Sequence, residues 1–304
     1  MNTIVYMSFG TGSHVQEIEF SVSSAMRLLK RGSEGSRSDY QFVVYTDRPT
    51  EFAGLPIIVQ HVSEELRGEW FGENGFILRA KCRVLIEALM NFGGKCALLD
   101  TDTFFLKSPH QLFDKIGPGR SVMYEYLGPI CSWGPKIAEV LERETPQIGT
   151  GESWPLTPLS PDFNSGVIGV DASNTALLDG VLPLCDWFFR KTKAWISEEF
   201  AHSSCLSRGT QIGEAYRIIH HYYHPATKSA FRKVLPQYLA AAAERPLEEQ
   251  AEWLYGRRPV EPLKWRLFIA LNRVKARARK MGLFQKPIRQ WRGRQPATVK
   301  HREN

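Results

Sequence analysis

The chain has 304 residues, 43% of them hydrophobic, enough to bury a sizeable core as one large α/β domain with an appendage. Its five cysteines, Cys82, Cys96, Cys131, Cys185 and Cys205, form no Cys-x-x-Cys pair and are odd in number, which excludes a zinc ribbon or disulfide framework as the first reading and suggests a reducing compartment. The net charge of +7 is unevenly placed: Lys264 to Asn304 holds 13 Lys and Arg against the single acid Glu303, a net of +12 that leaves the first 263 residues at −5. Met1-Asn2-Thr3 runs straight into Ile4-Val5-Tyr6-Met7 with no basic segment and no long apolar one. No apolar run approaches the roughly 18 residues of a spanning helix. The expected location is therefore cytoplasmic, soluble or peripheral on the inner face of a membrane.

Thr3 to Ser8 reads as a first strand, followed by the loop Phe9-Gly10-Thr11-Gly12-Ser13 and a helix over His14 to Lys30 with Ile18, Val22, Met26 and Leu29 on one face. A strand, glycine loop and helix can hold a nucleotide, although a plain turn needs glycine equally. The third glycine of Gly-x-Gly-x-x-Gly and the Lys-Ser/Thr of a P-loop are both missing, so those two motifs are rejected. Tyr40 to Asp47 is a buried strand ending in an acid, placed to bond a base or ribose, or to cap a turn. Leu55 to Val62 gives a third strand, and Gly75 to Asn91 a helix with Arg79, Lys81 and Arg83 on its polar side. A cation there could reach phosphates bound beyond the strand that follows, although a solvated cationic face is the commoner reading of any single lysine.

That strand is Lys95 to Leu99, continuously apolar as expected when both faces are covered. It breaks at Asp100-Thr101-Asp102 before turning apolar again at Phe104-Phe105-Leu106. Side chains two apart in an extended segment project to one side, so Asp100 and Asp102 can present oxygens to one point beyond the strand's carboxyl end. Ligands of open α/β sheets bind there. A hard divalent cation takes one or two carboxylates and completes its shell with phosphate and water, which suits a nucleotide diphosphate. A solvated turn is the competing reading of Asp-x-Asp; the apolar flanks favour the metal, because uncompensated carboxylates within buried structure are costly.

Ser121 to Tyr126 follows as a strand, Lys136 to Arg143 as a helix, and the proline-rich Thr145 to Pro161 as a long surface loop of the kind that covers sites. Asp162 to Asp171 is a second apolar strand with Asn164 and Ser165 at its mouth, able to bond sugar hydroxyls or simply to form a turn. A helix over Thr175 to Arg190 precedes the polar segment opened by Glu198-Glu199-Phe200. His220-His221-Tyr222-Tyr223-His224, with Lys228 four residues on, offers an imidazole to complete an Asp, Asp, His site for manganese. From Pro262 a helical pattern with Trp265, Leu267, Phe268, Ile269 and Leu271 passes into the basic run. Such a segment suits an anionic membrane surface; nucleic-acid binding and a solvated tail are its alternatives.

Taken together, Tyr45-Thr46-Asp47, Arg79-Ala80-Lys81, Leu98-Leu99-Asp100-Thr101-Asp102, Phe163-Asn164-Ser165-Gly166-Val167 and His221-Tyr222 with Lys228 resemble, in order and spacing, the nucleotide-sugar glycosyltransferases of the GT-A fold, especially bacterial relatives of glycosyltransferase family 8. The resemblance implies an α/β, Rossmann-like, mixed but mostly parallel sheet flanked by helices over residues 1–263, with a basic helical tail over 264–304. It implies further that Asp100, Asp102 and His221 hold Mn²⁺ or Mg²⁺ on the diphosphate of a donor, a UDP-sugar first of all. Phe9, Gly10, Thr11, Asp47, Lys81, Thr101, Asn164, Ser165 and Lys228 would then contact the donor, and the acceptor would be a glycan or glycolipid hydroxyl.

Two departures are visible. The family's His-x-x-Gly-x-x-Lys-Pro-Trp ending is here His221 to Ser229 without the glycine or the Pro-Trp, leaving His220, His221 and His224 as alternatives for the ligand. Its Asp-Gln pair has no clear match, though Glu198-Glu199 lies at a similar distance. Retention, as the resemblance implies, needs no strong base. Inversion would assign Glu198 or Glu199 to the acceptor's proton and keep Asn164 as the third catalytic candidate. The rival functions are a sugar nucleotidyltransferase on a related sheet, and a nucleic-acid-binding protein acting through its tail.

Overall fold

The computed structural model describes residues 1–12, 14–31, 37–148 and 151–281. In chain order, β1 (Asn2–Ser8) leads to α1 (His14–Arg31), β2 (Tyr40–Thr46) and β3 (Ile58–His61), after which α2 (Glu64–Phe71) and α3 (Arg79–Phe92) return the chain to β4 (Lys95–Leu99). The short β5 (Thr103–Phe105) follows at once, then α4 (Pro109–Phe113), β6 (Arg120–Pro129) and α5 (Pro135–Arg143). A small hairpin of β7 (Gln147–Ile148) and β8 (Glu152–Ser153) interrupts the expected long loop before β9 (Pro161–Asp171). The chain continues through α6 (Val181–Thr192), α7 (Ser197–Ser207), β10 (Gln211–Glu214), β11 (Ile219–His221), α8 (Pro225–Ala243), α9 (Leu247–Tyr255) and α10 (Leu263–Lys280).

Seven strands form the central sheet in the order β10-β6-β9-β4-β1-β2-β3. β9 runs antiparallel to its neighbours β4 and β6, and the others share one direction. The fold is therefore α/β with a mostly parallel, helix-flanked sheet, compatible with a Rossmann-like arrangement. Its inner strands are largely apolar because both faces are covered, while the edge strands β3 and β10 carry polar and exposed residues. Val5, Val43, Cys96, Leu98, Ile168 and Val170 enter the core beneath α3, α6 and α7. Their alternates Ile4, Phe42, Val44, Ala97, Leu99 and Val167 enter the core on the other face with α1. Each fully buried aliphatic side chain here contributes on the order of 2 kcal/mol.

Strand order turns between β1 and β4: from β1 the chain builds outward through β2 and β3, then returns to the other side of β1 as β4. The carboxyl ends of β1 and β4 consequently flank a crevice, the usual ligand position in such sheets. Asp100 follows β4 directly, and Phe9 follows β1. A second, two-stranded ribbon pairs β5 with β11 antiparallel, setting His221 opposite Thr103. A distant histidine thus arrives next to Asp102.

Several sequence boundaries shift for local reasons. The helix expected over Thr175 to Arg190 begins only at Val181, preceded by a 3-10 segment, Ala172–Gly180, whose start is capped by the Asp171 carboxylate on Ser173 N–H. Pro183 then falls within the first turn, where no backbone N–H is needed. The segment opened by Glu198-Glu199 is not polar surface: α7 is buried along nearly its whole length. The expected third strand is trimmed to Ile58–His61. No helix among the described residues is long and apolar enough to cross a membrane. The five cysteines are free. Of the basic tail, residues 282–304 lie outside the described residues.

Candidate metal centre

One oxygen each from Asp100 and Asp102 and one ring nitrogen of His221 lie within 4.8 Å of one another. His221 Nε2 stands 3.3 Å from Asp102 Oδ1 and 3.7 Å from Asp100 Oδ2. For metal–oxygen bonds near 2.1 Å, ligand atoms on one ion sit roughly 3 Å apart when cis and about 4 Å when trans, so this spacing fits a single small cation. Asp102 and His221 are buried, while Asp100 is half-buried and leaves the cluster open on one side.

The hydrogen-bond network fixes the histidine in a ligand's tautomer. Asn164 Nδ2 donates to Glu199 Oε2 at 3.1 Å, which turns Asn164 Oδ1 the other way. That oxygen accepts from Gly166 N–H at 3.1 Å and lies 3.2 Å from His221 Nδ1. Nδ1 must therefore donate, so Nε2 is the nitrogen that faces the two carboxylates, and it carries the lone pair whenever the ring is neutral. A lone pair and two anionic oxygens converging on one point call for a positive charge between them, either a proton or a metal ion. Two carboxylates and a neutral imidazole form a donor set suited to Mn²⁺, with Mg²⁺ as the harder alternative. Burial opposes the charge on Asp102, but His221 and the Lys228 ammonium hold its carboxyl well below the usual carboxylate range.

Two lysines bracket the cluster. Lys228 Nζ is 2.8 Å from Asp102 Oδ2 and partly exposed. Lys81, expected on a polar helix face, is instead 3% exposed, 2.8 Å from Asp100 and 3.1 Å from Glu198. Its ammonium also donates to Ser165 through the carbonyl at 3.1 Å and Oγ at 3.2 Å. Burial works against the ammonium, yet the charges of Asp100 and Glu198 win and hold its pKa above the ordinary value. Lys81 thus reaches the aspartate loop as a buried tie.

Glu198 and Glu199 are each 2% exposed. Glu198 accepts from Ser165 Oγ at 2.8 Å, and Glu199 from Ser165 N–H at 3.0 Å as well as from Asn164. Burial raises both carboxyls, Glu199 especially, with the nearby Asp162 charge adding to it. In this position Glu199 orients Asn164, and through it His221, and its burial favours the neutral acid. Ser165, proposed from sequence to meet a sugar, is buried between Lys81 and Glu198. Of His220, His221 and His224, only His221 faces the aspartates. His220 packs at a tilt against Phe104, its pKa lowered to about 4 by burial first and by neighbouring cations, and His224 caps α8 by accepting from Thr227 N–H.

The loop after β1 is tied to the end of β2. Gly10 N–H, at φ 74°, donates to both Asp47 oxygens at 3.0 and 3.2 Å, and Arg67 pairs with the same carboxylate. Thr11 is exposed beside them. Phe9 is not a loop contact: it is 8% exposed and packs edge-on against Trp70 and Phe71, because an apolar ring at a strand end is drawn into the adjacent core. Thr101 is also turned inward, donating to Glu17 Oε2 at 2.8 Å.

Glu17 and Arg232 escape the sequence reading. Glu17 is fully buried, yet His14 and Arg232 outweigh burial and keep its pKa below the ordinary value. Arg232 grips it with bonds of 2.9 and 2.8 Å. Arg232 lies four residues after Lys228, on the same face of α8, and that spacing was its available signal. Gly166 offered none beyond a turn. A Cβ there would stand 2.2 Å from His221 Nδ1, so glycine is what lets the imidazole lie against β9. Comparison of the chain with protein-family models and with curated proteins returns no match.

Proposed function

We propose that this chain is a metal-dependent glycosyltransferase that moves a sugar from a nucleotide diphosphate donor to an acceptor hydroxyl. The observation that carries the reading is the convergence of Asp100, Asp102 and His221 at the carboxyl end of β4, with Lys228 beside them, at the turning point of a helix-flanked sheet. Asp100, Asp102 and His221 would hold the ion, which when bound acts as a Lewis acid toward charge developing on the leaving diphosphate. The chain's own residues do the rest. Lys228, partly exposed and able to turn from Asp102, adds a point charge for phosphate oxygens. Lys81 and Glu198 fix the aspartate loop against β9. Asn164 keeps the His221 proton on Nδ1. Asp47 and Gly10 shape the far side of the crevice, where a base and ribose would lie. Glu198 and Glu199 are buried, Glu198 engaged by Lys81 and Ser165 and Glu199 by Ser165 and Asn164, so neither is placed to take the acceptor's proton, which favours the retaining course.

The test is incubation with Mn²⁺ and a panel of nucleotide sugars, measuring release of nucleoside diphosphate. Turnover of one donor, stopped by a chelator, restored by Mn²⁺ and absent from Asp102→Asn, is the expected result. Full activity in that variant would remove the metal-site assignment. Pyrophosphate release from a nucleoside triphosphate and a sugar phosphate would instead identify a nucleotidyltransferase.

A further inference from the structure

α10 touches the body of the protein along one face. Trp265 meets the His224 ring at 4.7 Å and the Tyr223 ring at 6.0 Å. Arg273 is gripped by Glu125 at 2.7 and 2.8 Å and lies over Tyr216. The opposite face meets solvent: Leu263, Leu267, Leu271 and Val274 are 66%, 62%, 52% and 63% exposed. At 100° per residue these four fall within about 80° of one another, so they make one continuous stripe along the helix. Lys264 and Lys275, both exposed, border it on one side; Arg266 and Arg277, also exposed, border it on the other. α10 contains seven Lys and Arg and no acid. Residues 282–304 add six Lys and Arg and one Glu.

An apolar stripe with cations along both edges matches one surface: apolar at depth and anionic above, as at the headgroup boundary of an acidic bilayer. A second copy of α10 would answer the stripe but set like charges against each other. A nucleic acid would answer the cations but leave the leucines in water. We infer that α10 is an interfacial helix that docks this protein on an anionic lipid surface, its Leu263–Leu267–Leu271–Val274 stripe entering the headgroup boundary and its flanking cations contacting lipid phosphates. Because the inner face of α10 lies on Tyr223 and His224, and the Tyr223 ring lies 5.0 Å from the His221 ring, docking separates the His221 cluster from the lipid by about one helix diameter, ~10–12 Å, and one further layer of rings. This last consequence rests on the function proposed above, and places the acceptor among molecules carried on that surface.

The test is co-sedimentation of the full chain, without metal or donor, with phosphatidylcholine vesicles and with vesicles containing about 30% phosphatidylglycerol. Binding to the anionic vesicles, about tenfold or more weaker to the neutral ones, is expected. The L267E/L271E variant alters exposed positions only and should keep its melting temperature while binding at least about tenfold more weakly. K264E/K275E should lose about fivefold per charge replaced. The inference is overturned if the wild-type chain ignores anionic vesicles or if L267E/L271E binds them equally well. It is also overturned if the stripe variants lose RNA binding or self-association while vesicle binding is unaffected. Since no donor or metal is present, failure here leaves the catalytic proposal standing, and failure of donor turnover leaves this one.

Discussion

Gly166→Ala perturbs the candidate metal centre without touching a ligand. The backbone at Gly166 is not in the left-handed region, so alanine is tolerated conformationally and the whole effect is steric. The added Cβ would lie 2.2 Å from His221 Nδ1 and 2.5 Å from Cε1, where ordinary contact is about 3.5 Å, so ring or strand must yield by roughly 1 Å. The ring has little room to yield in place, being buried against Tyr124 and Tyr223. Metal–ligand distances tolerate about 0.2 Å, so a 1 Å displacement of Nε2 should remove the nitrogen from the ligand set. The expected loss of Mn²⁺ affinity is about 10–100-fold or more, with destabilisation of about 1–3 kcal/mol from overpacking. Isothermal titration with Mn²⁺ and thermal melting of the apo protein measure the two effects. Adding G166A to H221A should destabilise far less than adding it to the wild type, because the clash partner is gone. Wild-type Mn²⁺ affinity in G166A, or strict additivity of the two changes in stability, would refute the reasoning.

Replacing Glu199 by Gln keeps its acceptor oxygen for Asn164 and Ser165 and matches the neutral acid that burial favours, so E199Q should retain metal affinity and donor turnover. E199A should lose about 1–3 kcal/mol by stranding those donors. Equal loss in E199Q and E199A would mean the carboxylate itself is needed. Lys81→Met leaves Glu198 buried without its ammonium partner and should lower unfolding free energy by about 3–5 kcal/mol, read by urea denaturation; a change below 1 kcal/mol, on the same scale, would contradict the buried tie. Burial, with the Glu198 charge adding, pushes Asp162 up to about 7 from 3.8, while Trp133 donates to it. A raised acid binds its proton more tightly when folded, so its stabilisation is full below pH 3.8 and is lost as pH rises through 7. D162N does not titrate, so between pH 5 and pH 8 its stability relative to wild type should improve by about 2–3 kcal/mol. A pH-independent difference would count against it.

The apolar run of Lys95 to Leu99 with Asp100 and Asp102 at its end, the alternation of α/β elements and the concentration of charge after Lys264 were all legible in the chain itself. Each is a local property: hydrophobic period, chain breakers and composition act over a few residues. Which histidine faces the aspartates was not. The choice among His220, His221 and His224 depends on the pairing of β11 with β5, where period-two alternation sends His220 to Phe104 and His221 to Asp102. That register is set between segments more than a hundred residues apart. The same holds for Glu198 and Glu199, whose acidity suggested polar surface. Only the tertiary structure supplies Lys81, Asn164 and Ser165 as partners, and those partners are what make two buried acids tolerable. The sequence by itself determined which residues carry charge and chemistry, because residue type is local. Tertiary structure decided which of them meet, because burial and hydrogen bonding belong to pairs of groups that only the folded chain brings together.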